Sequence, residues 1–264
     1  METITAKDGT TIAIDRQGSG PAVVLVDGAL CHRSSSPNQA LAEALADRYT
    51  VYTYDRRGRG DSTDAAAYEP EREIEDLAAV IEAAGGEAYV AGMSSGAALA
   101  LAAADAGLPI TKVAAFEPPF IVDASRPPCP ADFQQRMSAL LADGKRGKAV
   151  KYFMRTGVNL PAPVVAMMPL MPAWSKLKAV AHTLPYDLAF VADKQRGDAY
   201  PQDAWAGVRI PALAIDGGKS PAWMRASISA LAQRLPNAEY VTLPGQTHIV
   251  KAEALAPVLK EFFA

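Results

Sequence analysis

The amino-acid sequence predicts an α/β protein with a mostly parallel central sheet, helices on both faces and one helical insertion. Two observations predict this fold class. Short continuous apolar runs recur along the chain, and such runs are typical of strands that are buried on both faces. Between most of these runs lie segments with the apolar period of a helix, and regular alternation of strands and helices is typical of parallel sheets.

The elements follow one another in a regular order. The first two strands, 2–6 and 11–15, flank Asp8-Gly9, a dipeptide typical of hairpin turns. The buried strands are expected at 22–26, 51–54, 88–91, 113–116, 210–215 and 240–243. The helices between them are expected at 38–47, 71–84, 96–106, 222–234 and 250–262.

One stretch of about 90 residues, between the strands at 113–116 and 210–215, interrupts this alternation. A structureless loop of that length is improbable in a compact domain, and segments near 131–143, 146–156 and 175–183 have helical patterns. We therefore predict a core domain, formed by residues 1–122 and 206–264, and a helical insertion of residues 123–205 that folds over the edge of the sheet.

Composition and charge argue against several classes of protein. The net charge is −3, and the densest positive run, Arg56-Arg57-Gly58-Arg59, is better explained as a turn, so we expect no nucleic-acid partner. No apolar stretch approaches the roughly 20 residues of a membrane span, and no secretory signal is evident. Cys31 and Cys129 lie far apart and predict neither a disulfide framework nor a metal site. We expect a cytoplasmic protein.

The segment Gly92-Met93-Ser94-Ser95-Gly96 lies between a predicted strand and a predicted helix. A nucleophilic serine in such a turn needs small residues two positions before and after it, because neighbouring segments approach closely. This context favours Ser94 as a nucleophile over a merely structural glycine-rich turn. Ser95 does not lie midway between the two glycines of the motif, and we expect its backbone N–H to help stabilise an oxyanion.

A serine hydroxyl needs a base to activate it, and the chain has three histidines. His248 follows the last predicted strand, so its loop belongs at the carboxyl edge of the sheet, where the serine turn also emerges. We expect His32 and His182 to serve in packing or at the surface, although both could line a pocket.

This order of elements, with an early serine turn and a late histidine, resembles the α/β-hydrolase fold over essentially the whole chain. Residues 27–30, Asp-Gly-Ala-Leu, resemble the oxyanion loop of that family, and residues 54–62 resemble its structural D-x-R-G-x-G-x-S turn. The resemblance implies that a backbone N–H of Gly28 or Ala29 is the second oxyanion donor. It also implies that the insertion is a cap domain.

The sequence position of the acid that should orient the histidine differs from the common pattern of the family. Most members place an aspartate after the penultimate strand, where this chain has Ser220, and a hydroxyl cannot stabilise an imidazolium as a carboxylate does. Glu117, at the end of an apolar strand, is the favoured acid. Asp216 is the second candidate and Asp123 a distant third. A site without a catalytic acid remains an alternative.

A subset of α/β-hydrolases supplies the acid from the strand end that Glu117 occupies. Zearalenone lactonases and some haloalkane dehalogenases are among them. This chain resembles the lactonases in its Asp-Gly oxyanion loop, in the two serines of its turn, and in Glu117.

A serine nucleophile argues against the dehalogenases and epoxide hydrolases of this fold, which use aspartate. We therefore predict a hydrolase of esters or lactones of small, moderately apolar molecules that needs no metal and no other cofactor. Thioesters, amides and C–C bonds remain alternatives, as does a lyase or a binding protein. Candidates for lining the substrate pocket are Leu30, Met154, Trp174 and His182.

Overall fold

The structure is a computed structural model that describes residues 1–65 and 67–264. Its strands are β1 Glu2–Thr5, β2 Thr11–Gln17, β3 Ala22–Val26, β4 Thr50–Tyr54, β5 Ala88–Met93, β6 Ile110–Phe116, β7 Ala212–Gly217 and β8 Ala238–Leu243. Its helices are α1 Asn38–Leu45, α2 Pro70–Ala83, α3 Ser95–Asp105, α4 Phe133–Ala142, α5 Arg146–Tyr152, α6 Ala162–Met167, α7 Trp174–Ala179, α8 Leu184–Val191, α9 Ala222–Arg234 and α10 Ala252–Phe263.

The strands of the described residues form one eight-stranded sheet in the order β1-β2-β4-β3-β5-β6-β7-β8. The pairs β1–β2 and β2–β4 are antiparallel, and the remaining pairs are parallel. The predicted fold class is therefore confirmed. Because parallel strands end at the same edge of a sheet, the segments that follow β3, β5, β6, β7 and β8 all emerge together.

Two hydrophobic cores cover the two faces of the sheet. Strand β3 contributes to both, because its side chains alternate between the faces: Val23 and Leu25 pack with helices α1 and α10, whereas Val24 and Val26 pack in the larger core with α2 and α3. Helix α3 is buried almost all round, which explains its run of alanines and leucines.

The segment between β6 and β7 contains helices α4 to α8, together with a π-helical turn at Phe153–Gly157. The sequence patterns predicted helices near α4, α5 and α7 but not α6 or α8. Helix α8 is apolar on all sides except at Asp187 and Tyr186, so it shows no amphipathic period. The predicted boundaries of the two domains stay a prediction.

The structure also shifts several element boundaries by a few residues. Strands β6 and β8 begin earlier than predicted, at Ile110 and Ala238, and β7 begins at Ala212, after Pro211. No helix in the part of the chain that the structure describes is long and apolar enough to span a membrane.

Candidate active site

Ser94 lies in the sharp turn that joins strand β5 to helix α3. Its φ of 55° and ψ of −125° are unusual for a residue other than glycine. The turn is held in place because the Ser94 N–H donates to the Phe116 carbonyl of strand β6 at 2.9 Å. Strained backbone that the surroundings maintain in this way is typical of functional sites, and the Ser94 side chain lines a cavity.

The two glycines of the motif are required by close backbone contacts. A Cβ on Gly92 would lie 2.4 Å from the Gly96 carbonyl oxygen. A Cβ on Gly96 would lie 2.4 Å from the Val26 carbonyl oxygen and 2.6 Å from that of Asp27. Since Cβ atoms essentially never approach other atoms below 3.0 Å, any larger residue would have to displace backbone on both sides of the turn.

His248 and Glu117 form a hydrogen-bonded pair at the same edge of the sheet. The Nδ1–H of His248 donates to Glu117 Oε2 at 2.8 Å, and the other carboxylate oxygen accepts from the Gly217 N–H at 2.8 Å. Glu117 directly follows strand β6 and is fully buried, whereas the His248 side chain is 38% exposed. This bond orients the imidazole and places the proton of the neutral ring on Nδ1. Nε2 then has a free lone pair, which a general base needs.

Asp216, the alternative acid, is equally buried but has other partners. Its Oδ2 accepts from the Tyr240 hydroxyl at 2.6 Å, and Arg225 Nε lies 3.9 Å from the same oxygen. Among the described contacts of His248, the carboxylate partner is Glu117.

The other two acid positions that the sequence raised have local roles. Ser220, at the position where the family commonly has an aspartate, is buried, and its N–H donates to the Gly217 carbonyl at 2.9 Å. The Asp123 carboxylate accepts from the Ser125 N–H at 2.8 Å. Neither residue lines the cavity around Ser94.

Two adjoining cavities meet at Ser94 and His248. The helix-side lobe, with a volume of about 210 Å³, reaches helices α8 and α9, and the loop-side lobe, about 290 Å³, reaches the loops after β3 and β8. Both lobes are lined by Ala29, Ser94, Phe153, Val158 and His248. Most other side chains of the helix-side lobe are apolar: Pro119, Leu160, Val191, Pro221, Trp223 and Met224, accompanied by the polar Ser95, Asp187 and Gln195.

Ser94 and His248 share these lobes without a hydrogen bond between them in the described part of the chain. Hydrogen bonds between nucleophile and base are often long before substrate binds and tighten in the complex. The arrangement is therefore compatible with a resting site in which the serine hydroxyl faces the cavity.

The loop after β3 approaches the nucleophile closely. A Cβ on Gly28 would lie 3.0 Å from the Ser94 Cβ and 3.6 Å from its Oγ, and Ala29 lines both lobes. Ser95 begins helix α3, so its N–H is one of the first four that have no partner within the helix. The residues predicted to supply the oxyanion donors, Ser95 and Gly28 or Ala29, thus lie next to Ser94.

Asp27, which precedes this loop, is buried and accepts hydrogen bonds from the Ser36 hydroxyl and from Asn38 Nδ2, the latter at 2.7 Å. Burial raises the pKa of its carboxyl to about 6, although the bond from Ser36 and the guanidiniums of Arg59 and Arg56 act in the opposite direction.

The turn that follows β4 places three arginines in the interior. Arg56, Arg57 and Arg59 are each 1% exposed, so the densest positive run of the sequence forms no basic surface. Arg56 pairs with Glu73 and Asp187, Arg59 pairs with Asp187, and Arg57 pairs with Asp76. These buried charges are compensated by ionic partners, as burial demands.

The structure places the four predicted pocket residues in different surroundings. Met154 lines the loop-side lobe. Leu30 is 7% exposed and belongs to the larger core, with a φ of 63°. The Nδ1–H of His182 donates to the Ala179 carbonyl at 3.1 Å, and its Nε2 lies 3.6 Å from Asp64 Oδ2. Leu30 and His182 do not line either lobe.

Trp174 does not line the cavity either. It lies in a surface groove of about 730 Å³ with Lys145, Arg146, Lys148, Lys151 and Lys178. The sequence pattern did not indicate this basic groove, because Lys148 and Lys151 belong to helix α5 and Lys178 to helix α7, and these helices pack together only in the fold.

Several cavity residues had no signal in the sequence. Trp223 and Met224 lie in the first turn of helix α9, and Val191 and Asp187 belong to the unpredicted helix α8. Phe153 belongs to the π-helical turn, a feature that is frequent at functional sites but has no reliable sequence pattern.

The sheet order and the strained serine turn followed by a buried helix define the α/β-hydrolase class. The model of the alpha/beta hydrolase family matches residues 23–257, and the chain belongs to this family. None of the curated proteins compared with the chain matches it.

Among solved structures, the chain is similar to an alpha/beta hydrolase from Sphaerobacter thermophilus DSM 20745, with 56% identity, a TM-score of 0.92 and full coverage of both chains. It is also similar to the enol-lactonase from Burkholderia xenovorans LB400, with 22% identity, 99% of both chains covered and a TM-score of 0.69. A thermophilic esterase from Thermogutta terrifontis has 20% identity and a TM-score of 0.69, with 99% of this chain and 97% of that one covered. The last two likenesses concern the fold alone.

Proposed function

We propose that this protein is a serine hydrolase that cleaves an ester or lactone of a small, moderately apolar molecule. The observation that carries the proposal is the hydrogen bond of 2.8 Å from His248 Nδ1 to the buried Glu117 carboxylate, because His248 lines the same cavity as Ser94. Nucleophile, base and acid of this kind recur on unrelated folds and are recognised by their geometry.

In the first half of the reaction, Ser94 Oγ attacks the acyl carbon while His248 Nε2 takes the hydroxyl proton. The carbonyl oxygen becomes an oxyanion, which the N–H groups of Ser95 and of Gly28 or Ala29 stabilise. The C–O bond to the leaving group then breaks, and the imidazolium returns its proton to the leaving alkoxide. Glu117 stabilises the imidazolium and holds its ring in position.

In the second half, water attacks the acyl-enzyme. His248 removes a proton from the water, a second oxyanion forms in the same place, and the Ser94 ester bond breaks to release the carboxylic acid. Ser94 recovers its proton from the imidazolium. Each cycle consumes one water and leaves the protein unchanged.

The shape of the cavity supports esters and lactones of modest size. Two lobes meet at Ser94, so the acyl part and the alcohol part of a substrate can extend to opposite sides of the nucleophile. Their mostly apolar lining suits apolar substituents, and a few polar groups provide orientation. We assign a preference for lactones on the resemblance to the zearalenone lactonases, with the acid at Glu117.

A fluorophosphonate probe tests the nucleophile. We expect the probe to label the wild-type protein at Ser94 and to leave Ser94→Ala unlabelled, and we expect turnover within a panel of small esters and lactones. An unlabelled wild-type protein that turns over no member of the panel would favour a binding protein or a lyase instead. Turnover of thioesters or amides alone would move the substrate class but not the triad.

Two matched variants test the acid. Glu117→Gln and Asp216→Asn each neutralise a fully buried carboxylate near the ends of neighbouring strands. We expect Glu117→Gln to lower kcat by about 10²- to 10⁴-fold, because the imidazole loses its orienting partner. We expect Asp216→Asn to retain turnover, because its partner is Tyr240. The reverse pattern would refute the assignment of Glu117.

A further inference from the structure

Three buried polar groups converge on one carboxylate, that of Asp187 in helix α8. Its Oδ1 accepts from Arg56 Nη1 at 2.7 Å and from the Ser95 hydroxyl at 2.8 Å. Its Oδ2 accepts from Arg59 Nη2 at 2.7 Å. Asp187 is fully buried and lies on the wall of the helix-side lobe.

Both arginines also hold the backbone of the oxyanion loop. Arg59 Nη1 donates to the Gly28 carbonyl at 2.8 Å, and Arg56 Nη1 donates to the Asp27 carbonyl at 3.2 Å. In a planar trans peptide the C=O and the following N–H point in opposite directions. Fixing the Gly28 carbonyl therefore fixes the direction of the Ala29 N–H, and fixing the Asp27 carbonyl fixes that of Gly28.

The third oxyanion donor is tied to the same carboxylate. Ser95 supplies its backbone N–H to the proposed hole, and its side chain donates to Asp187. The three N–H groups that the mechanism can use, at Gly28, Ala29 and Ser95, are thus all linked to Asp187 through one intervening hydrogen bond or ion pair.

We propose that Asp187 is a positioning residue that sets the geometry of the oxyanion hole, an inference that rests on the proposed serine hydrolase function. It binds two guanidiniums and one hydroxyl at once, and each of these groups holds one element of the hole. Because Asp187 lies between β6 and β7 in sequence, the seating of this segment on the sheet determines whether the hole is formed.

The charge of Asp187 is maintained by its partners. Burial by itself would raise the pKa of the Asp187 carboxyl, but the guanidiniums of Arg59 and Arg56 and the hydrogen bonds from Arg59 and Ser95 bring it below the usual value. A charge-assisted bond is about twice as strong as a neutral one, so the ionised carboxylate restrains both arginines more firmly than an amide would.

A second buried pair in the same turn provides a matched control. Asp76 binds Arg57 through two hydrogen bonds of 2.7 and 2.8 Å, and Arg57 also contacts Asp8 and the Arg72 carbonyl. This pair has the same chemistry and similar burial, yet its described contacts do not include the oxyanion loop. A structural defect should therefore be common to both aspartates, whereas an effect on the oxyanion should be confined to Asp187.

The experiment compares Asp187→Asn with Asp76→Asn in the full chain. We expect both variants to lower the midpoint of urea unfolding. Only Asp187→Asn should lower kcat, by about 10- to 100-fold, with KM changed less than about threefold. This loss is smaller than the roughly 10²- to 10³-fold that complete loss of one oxyanion donor typically costs, because the donors are displaced and not removed. A trifluoromethyl ketone that forms a tetrahedral adduct on Ser94 should bind Asp187→Asn more weakly by the same factor as kcat/KM falls.

Ser95→Ala is the second variant, in case Asp187→Asn does not fold. It removes the hydroxyl bond to Asp187 and keeps the backbone N–H, and we expect a several-fold loss in kcat with a parallel loss of ketone affinity. Full kcat and full ketone affinity in either folded variant would overturn the inference, as would equal losses of kcat in Asp187→Asn and Asp76→Asn. An inactive, unlabelled wild-type protein would overturn the proposed function itself, whereas an active wild type with a fully active Asp187→Asn overturns the inference alone.

Discussion

Replacing Gly96 by alanine should reverse the usual effect of that substitution in a helix. Alanine is favoured over glycine inside a helix by about 1 kcal/mol, so the change would ordinarily stabilise α3. Here the new Cβ would lie 2.4 Å from the Val26 carbonyl oxygen and 2.6 Å from that of Asp27. Reaching even the lower limit of 3.0 Å requires a backbone movement of at least about 0.6 Å.

This movement would displace the peptides that lead into the oxyanion loop. Overpacking of this kind typically costs about 1–3 kcal/mol, and a displacement of about 1 Å in a catalytic site can lower the rate by about 10²-fold. We therefore expect Gly96→Ala to lower the free energy of unfolding by about 1–2 kcal/mol and kcat by about 10- to 100-fold.

Urea unfolding and ester turnover, measured on the same preparations, check both numbers. Gly147→Ala is the matched control, because Gly147 also lies in a helix but its new Cβ would meet only side chains, the nearest being Trp174 at 3.2 Å. We expect this variant to be as stable as the wild type or more so, with unchanged kcat. A Gly96→Ala protein with wild-type stability and turnover would refute the explanation of the motif by close packing.

Two further predictions concern pH and the size of the substrate. Burial raises the pKa of the Asp27 carboxyl to about 6 from its usual 3.8, so the folded state binds this proton more tightly than the unfolded state does. As the pH rises from about 4 to about 6, the wild type should therefore lose up to about 3 kcal/mol of unfolding free energy relative to Asp27→Asn. Urea unfolding across that pH range measures the difference between the two proteins, and a difference that stays constant would refute the prediction. Val191→Phe should narrow the helix-side lobe and lower kcat/KM for long-chain esters about tenfold or more relative to acetates, whereas an equal loss at all chain lengths would contradict that assignment of the lobe.

Much of the fold could be predicted because its strands and helices have strong local patterns. Strand β3 reads as a continuous apolar run, and a parallel strand covered on both faces requires one. Local patterns could not predict the order of the strands in the sheet. They could not predict helix α8 either. Helix α8 is nearly all apolar, and a segment that is buried on every side has no amphipathic period to reveal it.

The candidate site divides in the same way. The serine turn could be predicted, because the requirement for glycines at 92 and 96 arises from backbone contacts close to the turn. The residues that line the pocket could not be predicted. Trp174 is of a residue type that is common in pockets but lies in a basic surface groove, while Trp223 and Val191 line the cavity. Which side chains meet across a cavity depends on how the insertion packs on the sheet.

The sequence by itself determined the fold class, the position of Ser94 in a strand–turn–helix motif, and the absence of an aspartate at residue 220. These properties follow from local patterns of apolar residues and glycine. Only the tertiary structure decided that Glu117 rather than Asp216 contacts His248, and that Asp187 lies between Arg56 and Arg59. Those contacts join residues that are between 128 and 131 positions apart, so they depend on the packing of whole elements and leave no local pattern in the chain.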